Sequence, residues 1–137
     1  MDKQTITTQL IAEVARIIGL PIIPMAPTAV HDSKPFPHLV QHGNGKGDGP
    51  LFLDGQLFDP LTNGRDFLLV EAWLERNGIA YEHGFYPMTQ THLFNIDDSH
   101  WQQMKTRPLA GCFALINQYG DGRLIESFIL ENMKVPA

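Results

Sequence analysis

The segment from Asp59 to Phe85 constrains the fold most, because it holds the start, body and end of a helix and the strand that follows. Asn63 carries the side-chain oxygen of a good helix N-cap. Apolar residues then recur at spacings of three and four, which predicts a helix over 64–77 with one apolar face. Gly78 is typical of a helix end, and the alternation after it predicts a strand over 79–85.

The same apolar spacing predicts core helices over 5–18 and 108–119. A glycine follows each of them, and Pro108 suits the first turn of the second. The C-terminal third also admits a hairpin, in which 113–119 pairs with 124–130 across a Gly-Asp-Gly turn. The proline start favours the helix over 108–119, and the tail after residue 123 has helical spacing as well.

Shorter elements lie around these helices. The segment 51–58 has two apolar triplets flanking an Asp-Gly pair, which predicts a hairpin with a two-residue turn. Residues 91–96 alternate and predict a strand antiparallel to 79–85. Ser99 is followed three residues later by glutamine, as in a capping box, so one helical turn is expected over 100–105.

Together these elements predict one α+β domain of 137 residues, with helices flanking a short, mainly antiparallel sheet. Three prolines exclude a regular central strand over 21–30, which is expected to be an extended segment. The histidine- and glycine-rich segment 31–50 is predicted to be a flexible loop. The expected core contains Ile11, Val14, Ile18, Val70, Leu74, Ile79, Phe94, Phe113 and Ile116.

Composition excludes several classes of function. The net charge of −5 and the scattered basic residues argue against a phosphate-binding surface, so no direct nucleic-acid binding is expected. No apolar run approaches the roughly 18 residues of a membrane span, and the start lacks a signal-peptide pattern. One cysteine rules out an internal disulfide framework. These features predict a cytoplasmic protein without a membrane segment.

Six histidines raise the question of metal binding. His38 and His42 are four residues apart, but that spacing brings ligands together only on a helix, and prolines precede them. His83 and His92 can face each other across the predicted hairpin, and His100 could join them. Hydrogen-bonded or exposed histidines are the commoner outcome, so no metal and no cofactor are predicted.

Other candidates for chemistry have simpler explanations. Cys112 lies on the predicted core face, where a thiol behaves as a small hydrophobic group rather than a nucleophile. The glycine run 43–49 lacks the Ser or Thr that follows the lysine of a phosphate-binding loop. Asp59 and Asp66 could form an acid and base pair, but a turn-opening residue and a first-turn helix residue account for both.

A short motif at the start of the central helix resembles that of the phage ABA-sandwich family, small proteins encoded by phages and prophages. It consists of Phe58, Asp59, Pro60, Leu61, Thr62, Asn63 and Asp66. The resemblance implies layers built from an N-terminal helix, a short antiparallel sheet and a last helix. It implies a phage context but no reaction, because the family has no established activity. The glycine run and the segment after Gly120 depart from the family pattern.

Three hypotheses about function follow. The first is a non-enzymatic phage or prophage accessory protein that binds a host or phage protein. The second is a small histidine-dependent enzyme, with or without a metal. The third is an acidic nucleic-acid mimic that inhibits a host DNA-binding protein, suggested by 15 carboxylates. The sequence does not predict an oligomeric state.

A partner is expected to dock on the surface formed by the 43–49 loop and the 59–66 turn, because loop side chains are not committed to packing. The short hairpin between these segments can hold them near one another. The simpler alternative is that the glycines only connect two elements and the turn only starts a helix. The predicted binding residues are Lys46, Asp48, Asp59, Asn63, Arg65 and Asp66.

Overall fold

A computed structural model describes residues 3–24, 39–41 and 49–132 of the chain. In these ranges the chain forms an α+β fold of four helices and two small, mostly antiparallel sheets, so the predicted class is confirmed. Among the described residues, no helix is both long and apolar enough to cross a membrane. The helices are α1 (Lys3–Ile17), α2 (Gly64–Arg76), α3 (Arg107–Tyr119) and α4 (Gly122–Asn132).

Helix α2 begins and ends where its capping residues predict. The side-chain oxygen of Asn63 accepts a hydrogen bond from the backbone N–H of Arg65 at 2.9 Å, which satisfies one of the free donors of the first turn. Gly78 follows the helix with a φ of +66°, a conformation that glycine adopts without steric cost. The central helix of the sequence is therefore confirmed.

The C-terminal third is helical, and the alternative hairpin of 113–119 with 124–130 does not form. Thr106 caps α3, and its hydroxyl accepts from the N–H of Leu109. Helix α4 starts after a turn at Asp121, whose N–H donates to the carboxylate of Glu13 at 2.7 Å. Helix α1 is thereby linked to the junction between α3 and α4.

Sheet A contains four strands in the order β1-β2-β3-β4. The β3–β4 hairpin is confirmed, because Asp54 and Gly55 have φ values of +51° and +79°, as its tight turn requires. β2 lies inside the predicted 31–50 loop and pairs parallel with β1 and antiparallel with β3. The strands are β1 (Ile22–Pro24), β2 (Leu39–Gln41), β3 (Leu51–Leu53) and β4 (Gln56–Leu57).

Sheet B contains β5 (Tyr81–Tyr86), β6 (Thr91–Ile96) and β7 (Gln102–Met104), paired antiparallel in that order. The first two strands confirm the predicted hairpin. The helical turn predicted over 100–105 is wrong, because β7 pairs with β6 there. The hydroxyl of Ser99 donates to the carbonyl of Ile96 instead of capping a helix.

The core forms where the helices meet sheet B. Eight of the nine predicted core residues are buried, and Ile79 is only half-buried at its margin. Gly111 lets α2 approach α3, since a Cβ placed on it would lie 2.1 Å from Cζ of Phe67. The ring of Phe67 also contacts Phe94 edge to face, at 5.6 Å between centroids. Helix α2 is therefore fixed against both α3 and β6.

Candidate functional site

The turn from Asp59 to Asp66 is closed by its own hydrogen bonds. The N–H of Asp59 donates to Oδ2 of Asp66 at 2.8 Å. The carboxylate of Asp59 accepts from the N–H of Leu61 and from the hydroxyl of Thr62. Its carbonyl accepts from the N–H of Asn63. The polar groups of this motif therefore stabilise the turn that starts α2.

The two charged residues at the end of the turn differ in exposure. Asp66 is only 1% exposed, and its Oδ1 accepts from Nε of Arg65 at 3.2 Å. Arg65 is exposed and also donates to the side-chain oxygen of Gln56 in β4. Arg65 thus ties the turn to the β3–β4 hairpin.

The structure describes four of the six predicted binding residues. Lys46 and Asp48 lie outside the described residues, as does most of the 43–49 loop. Asp59, Asn63 and Asp66 are brought together in the turn. The side-chain oxygens of these three residues accept hydrogen bonds from within the turn. Among the four described binding residues, Arg65 is the exposed charged one.

A cleft of about 490 Å³ opens beside this turn, between α1 and the β3–β4 hairpin. Its volume falls within the range of ligand-binding pockets. Apolar side chains supply most of its surface, and polar residues of α1 and of the turn also line it. The described residues that line it are Lys3, Gln4, Thr7, Thr8, Ile11, Pro50, Leu51, Leu57, Phe58 and Asp59.

The cleft combines a rigid wall with exposed apolar surface. Ile11, Leu51 and Phe58 are buried in the core and hold its walls in place. Leu57 is 53% exposed and adds accessible apolar surface to the cleft. No sequence pattern indicated this cleft, because its two sides lie at least 39 residues apart along the chain. Among the described residues, only Asp59 belongs to both the cleft and the predicted site.

His83 and His92 form the contact that the hairpin predicts. Nε2 of His83 and Nδ1 of His92 are 2.8 Å apart, so one nitrogen donates to the other. The ring centroids are 5.1 Å apart and the planes differ by 10°, so the rings meet edge to edge. Burial lowers the pKa of His83, and the positive charge of Arg107 and the neighbouring His92 lower it further.

Charged side chains of α2 and α3 lie beside these histidines. Arg107 forms an ion pair with Glu71, which is 7% exposed. Tyr81 donates its hydroxyl to Glu75, and this hydrogen bond together with burial raises the pKa of Tyr81 to about 12. These contacts join the helices to the first strand of sheet B and leave the carboxylates engaged.

The remaining candidates for chemistry are the other histidines and Cys112. Within residues 3–24, 39–41 and 49–132, no group of three or more His, Cys, Asp or Glu side chains can hold a metal ion. His38 and His42 lie outside these residues, and His83 with His92 form a pair. Cys112 is fully buried, burial raises the pKa of its thiol well above its usual value, and its Sγ contacts the carbonyl of Pro60.

Comparisons with protein-family models, curated proteins and solved structures find no match to this chain. The resemblance to the phage ABA-sandwich family stays a prediction based on the motif at 58–66. Support for a function of the cleft and of the turn beside it therefore comes from their own geometry.

Proposed function

We propose that this protein is a non-enzymatic accessory protein that binds a protein partner through the cleft between α1 and the β3–β4 hairpin. The cleft carries this proposal, because it is the place where buried walls and exposed apolar surface meet a polar rim. An apolar side chain of the partner would enter the cleft, and polar groups flanking it on the partner would contact the rim.

The charges at the rim suit a polypeptide with groups of both signs. Lys3 and Asp59 line the cleft with charges of opposite sign, and Arg65 is exposed in the same turn as Asp59. Interfaces of this kind have an apolar anchor surrounded by a polar rim that excludes water. The apolar anchor would provide most of the affinity, and the rim charges would set orientation and association rate.

The resemblance of the 58–66 motif supplies the biological context of the proposal. A phage or prophage accessory protein would act on a host or phage protein in the cytoplasm. The rigid hydrogen bonding of the turn supports this role indirectly, because a fixed turn holds the cleft wall at Phe58 and Asp59 in one conformation.

The proposal is tested by filling the cleft. Thr8 lines it from α1 and is half-buried, so Thr8→Phe places a ring in the cleft without opening the core. The matched control is Gln9→Phe, which adds a ring to the next residue of the same helix outside the cleft lining. The wild type and the Gln9 variant are expected to retain the same partner from phage-infected host extract. The affinity of the Thr8 variant for this partner should be at least tenfold lower.

Circular dichroism and thermal unfolding establish that both variants are folded. A folded Thr8→Phe protein that retains the partner as well as wild type would remove the cleft from consideration. Arg65→Ala then measures the contribution of the exposed charge in the turn beside the cleft, and its loss should slow association more than it speeds dissociation.

The other two hypotheses rest on weaker observations. The His83–His92 pair is the observation that supports a histidine-dependent enzyme. Hydrolysis of generic ester and phosphoester substrates by wild type, abolished in His83→Gln, would favour that function. A nucleic-acid mimic needs free carboxylates on one face, whereas Glu13, Asp66 and Glu71 accept internal hydrogen bonds.

A further inference from the structure

Strand β5 lies at the edge of sheet B. One hydrogen bond shows which of its backbone groups face β6 and which face outward. The N–H of Asp97 donates to the carbonyl of Ala80 at 2.7 Å, next to the first pair of the β5–β6 ladder. Bonded and non-bonded pairs alternate along an antiparallel ladder. The backbone groups of Tyr81, His83 and Phe85 therefore point away from β6, toward the open edge.

This edge lacks the features that usually protect one. Within the described ranges, no backbone group bonds to the outward groups of His83 or Phe85. The pairing of β5 with β6 runs unbroken over six residues, and the strand contains neither lysine nor proline. Phe85 and Tyr86 are each about half-exposed. An open, regular edge with exposed aromatic residues is a template for another strand.

We propose that a second copy of this chain pairs with β5 in an antiparallel manner, with the two-fold axis at His83. Tyr81 then lies opposite Phe85 of the second copy, and His83 lies opposite His83 of the second copy. Sheet B becomes a continuous six-stranded sheet across the dimer. This pairing concerns sheet B alone and does not depend on the cleft.

The register follows from three constraints on a two-fold pairing. At least two of the three outward residues must pair with one another, which permits axes at Glu82, His83 or Gly84. An axis at Glu82 places two carboxylates directly opposite each other, which is destabilising. An axis at Gly84 places Tyr81 opposite Pro87, which has no N–H to donate. The axis at His83 avoids both and uses all three outward residues.

Charge favours a second copy as the occupant in this register. Glu82 is the charged residue of β5, and it lies opposite Gly84 of the second copy. No like charges therefore face each other across the new pair of strands. Tyr81 and Phe85 form aromatic pairs across the strands on both sides of the axis, an arrangement that stabilises sheets.

The opposition of Glu82 and Gly84 provides the test. A Cβ on Gly84 has only Leu93 within 4 Å, at 3.9 Å, so a side chain fits there. Gly84→Glu places a carboxylate opposite Glu82 of the second copy, and Gly84→Lys places a cation there. Sedimentation equilibrium should show dimers for the wild type. The dimer dissociation constant should be about tenfold higher for Gly84→Glu, and equal to or lower than that of wild type for Gly84→Lys.

The double variant Glu82→Lys with Gly84→Glu restores opposite charges and should recover the wild-type dissociation constant. Circular dichroism confirms that each variant is folded. A wild type that remains monomeric at about 1 mM overturns the proposal and leaves the edge to a segment of another protein. Equal effects of glutamate and lysine at position 84 overturn it as well, because the proposed register requires them to differ.

Discussion

The Asp59–Asp66 turn and the β5–β6 hairpin use their polar groups in opposite ways. In the turn, Asp59 and Asp66 accept hydrogen bonds from the turn itself, so a motif rich in binding side chains acts as a folding element. In the hairpin, the outward backbone groups of His83 and Phe85 in β5 make no hydrogen bond to the described part of the backbone, and Phe85 is half-exposed. A polar sequence therefore indicates availability for a partner only when its groups are not already bonded.

Phe67 connects these two regions. It lies in the first turns of α2, directly after the Asp59–Asp66 turn, and its ring packs against Gly111 and against Phe94 of β6. A change at this contact should affect both regions, whereas a change in the turn or in the hairpin should affect one. Substitutions at Gly111, Asp66 and His83 distinguish these cases.

The largest effect is expected for Gly111→Ala. The new methyl group would lie 2.1 Å from Cζ of Phe67, so overpacking should cost about 3 kcal/mol or more, the upper end of the usual range. The higher helix propensity of alanine recovers about 1 kcal/mol. Urea unfolding should show a net loss of about 2 kcal/mol or more.

The control for this change is Gly64→Ala. It makes the same substitution in the first turn of α2, where a Cβ meets nothing within 4 Å. Its stability should be equal to that of wild type or higher by about 0.5 kcal/mol. Equal stability of the two variants would contradict the close approach of α2 to α3.

The next effect concerns the turn alone. Asp66→Ala leaves the N–H of Asp59 without its acceptor and removes the ion pair with the exposed Arg65, at a cost of about 1–2 kcal/mol. Asp66→Asn keeps an oxygen acceptor and loses the charge, so about half of that stability should remain. Urea unfolding measures both values. Unchanged amide-exchange protection in β5 and β6 would show that the hairpin does not depend on the turn.

The smallest effect concerns the hairpin alone and depends on pH. Because the pKa of His83 is lowered in the folded protein, the unfolded chain binds the proton more readily. The contribution of His83 to stability is present above the ordinary histidine pKa of 6.5 and is lost as the pH falls through the lowered pKa of the folded protein. His83→Gln should lose less stability than wild type between pH 7.5 and pH 5.

The matched control for the pH experiment is His100→Gln, which removes an exposed histidine outside the strands. Its pH profile should follow that of wild type. If wild type and His83→Gln lose stability equally, the lowered pKa of His83 has no part in the acid sensitivity of the hairpin.

Local patterns predicted most of the fold, because they depend on neighbours in the sequence. The capping oxygen of Asn63 and the positive φ of Gly78 set the ends of α2. The 100–105 segment was mispredicted because a capping-box pattern resembles the start of a helix, whereas pairing with β6 decides its structure. A long-range contact overrode a weak local preference there.

The candidate site was predicted in part, for the same reason. Asp59 belongs to the cleft and was predicted, but Thr8 and Leu57 gave no signal, since their roles arise from the packing of α1 against the β3–β4 hairpin. The contact of His83 with His92 was predictable because strand register fixes which side chains meet across a hairpin. The cleft has no such register.

The sequence by itself determined the helices, their caps and the alternation of the hairpin strands, because backbone geometry and side-chain period act over a few residues. Only the tertiary structure decided that Asp66 is buried, that Gly111 receives the ring of Phe67, and that α1 and β3–β4 enclose a cleft. These features depend on which surfaces meet, and residues distant in the chain meet only after the core has packed.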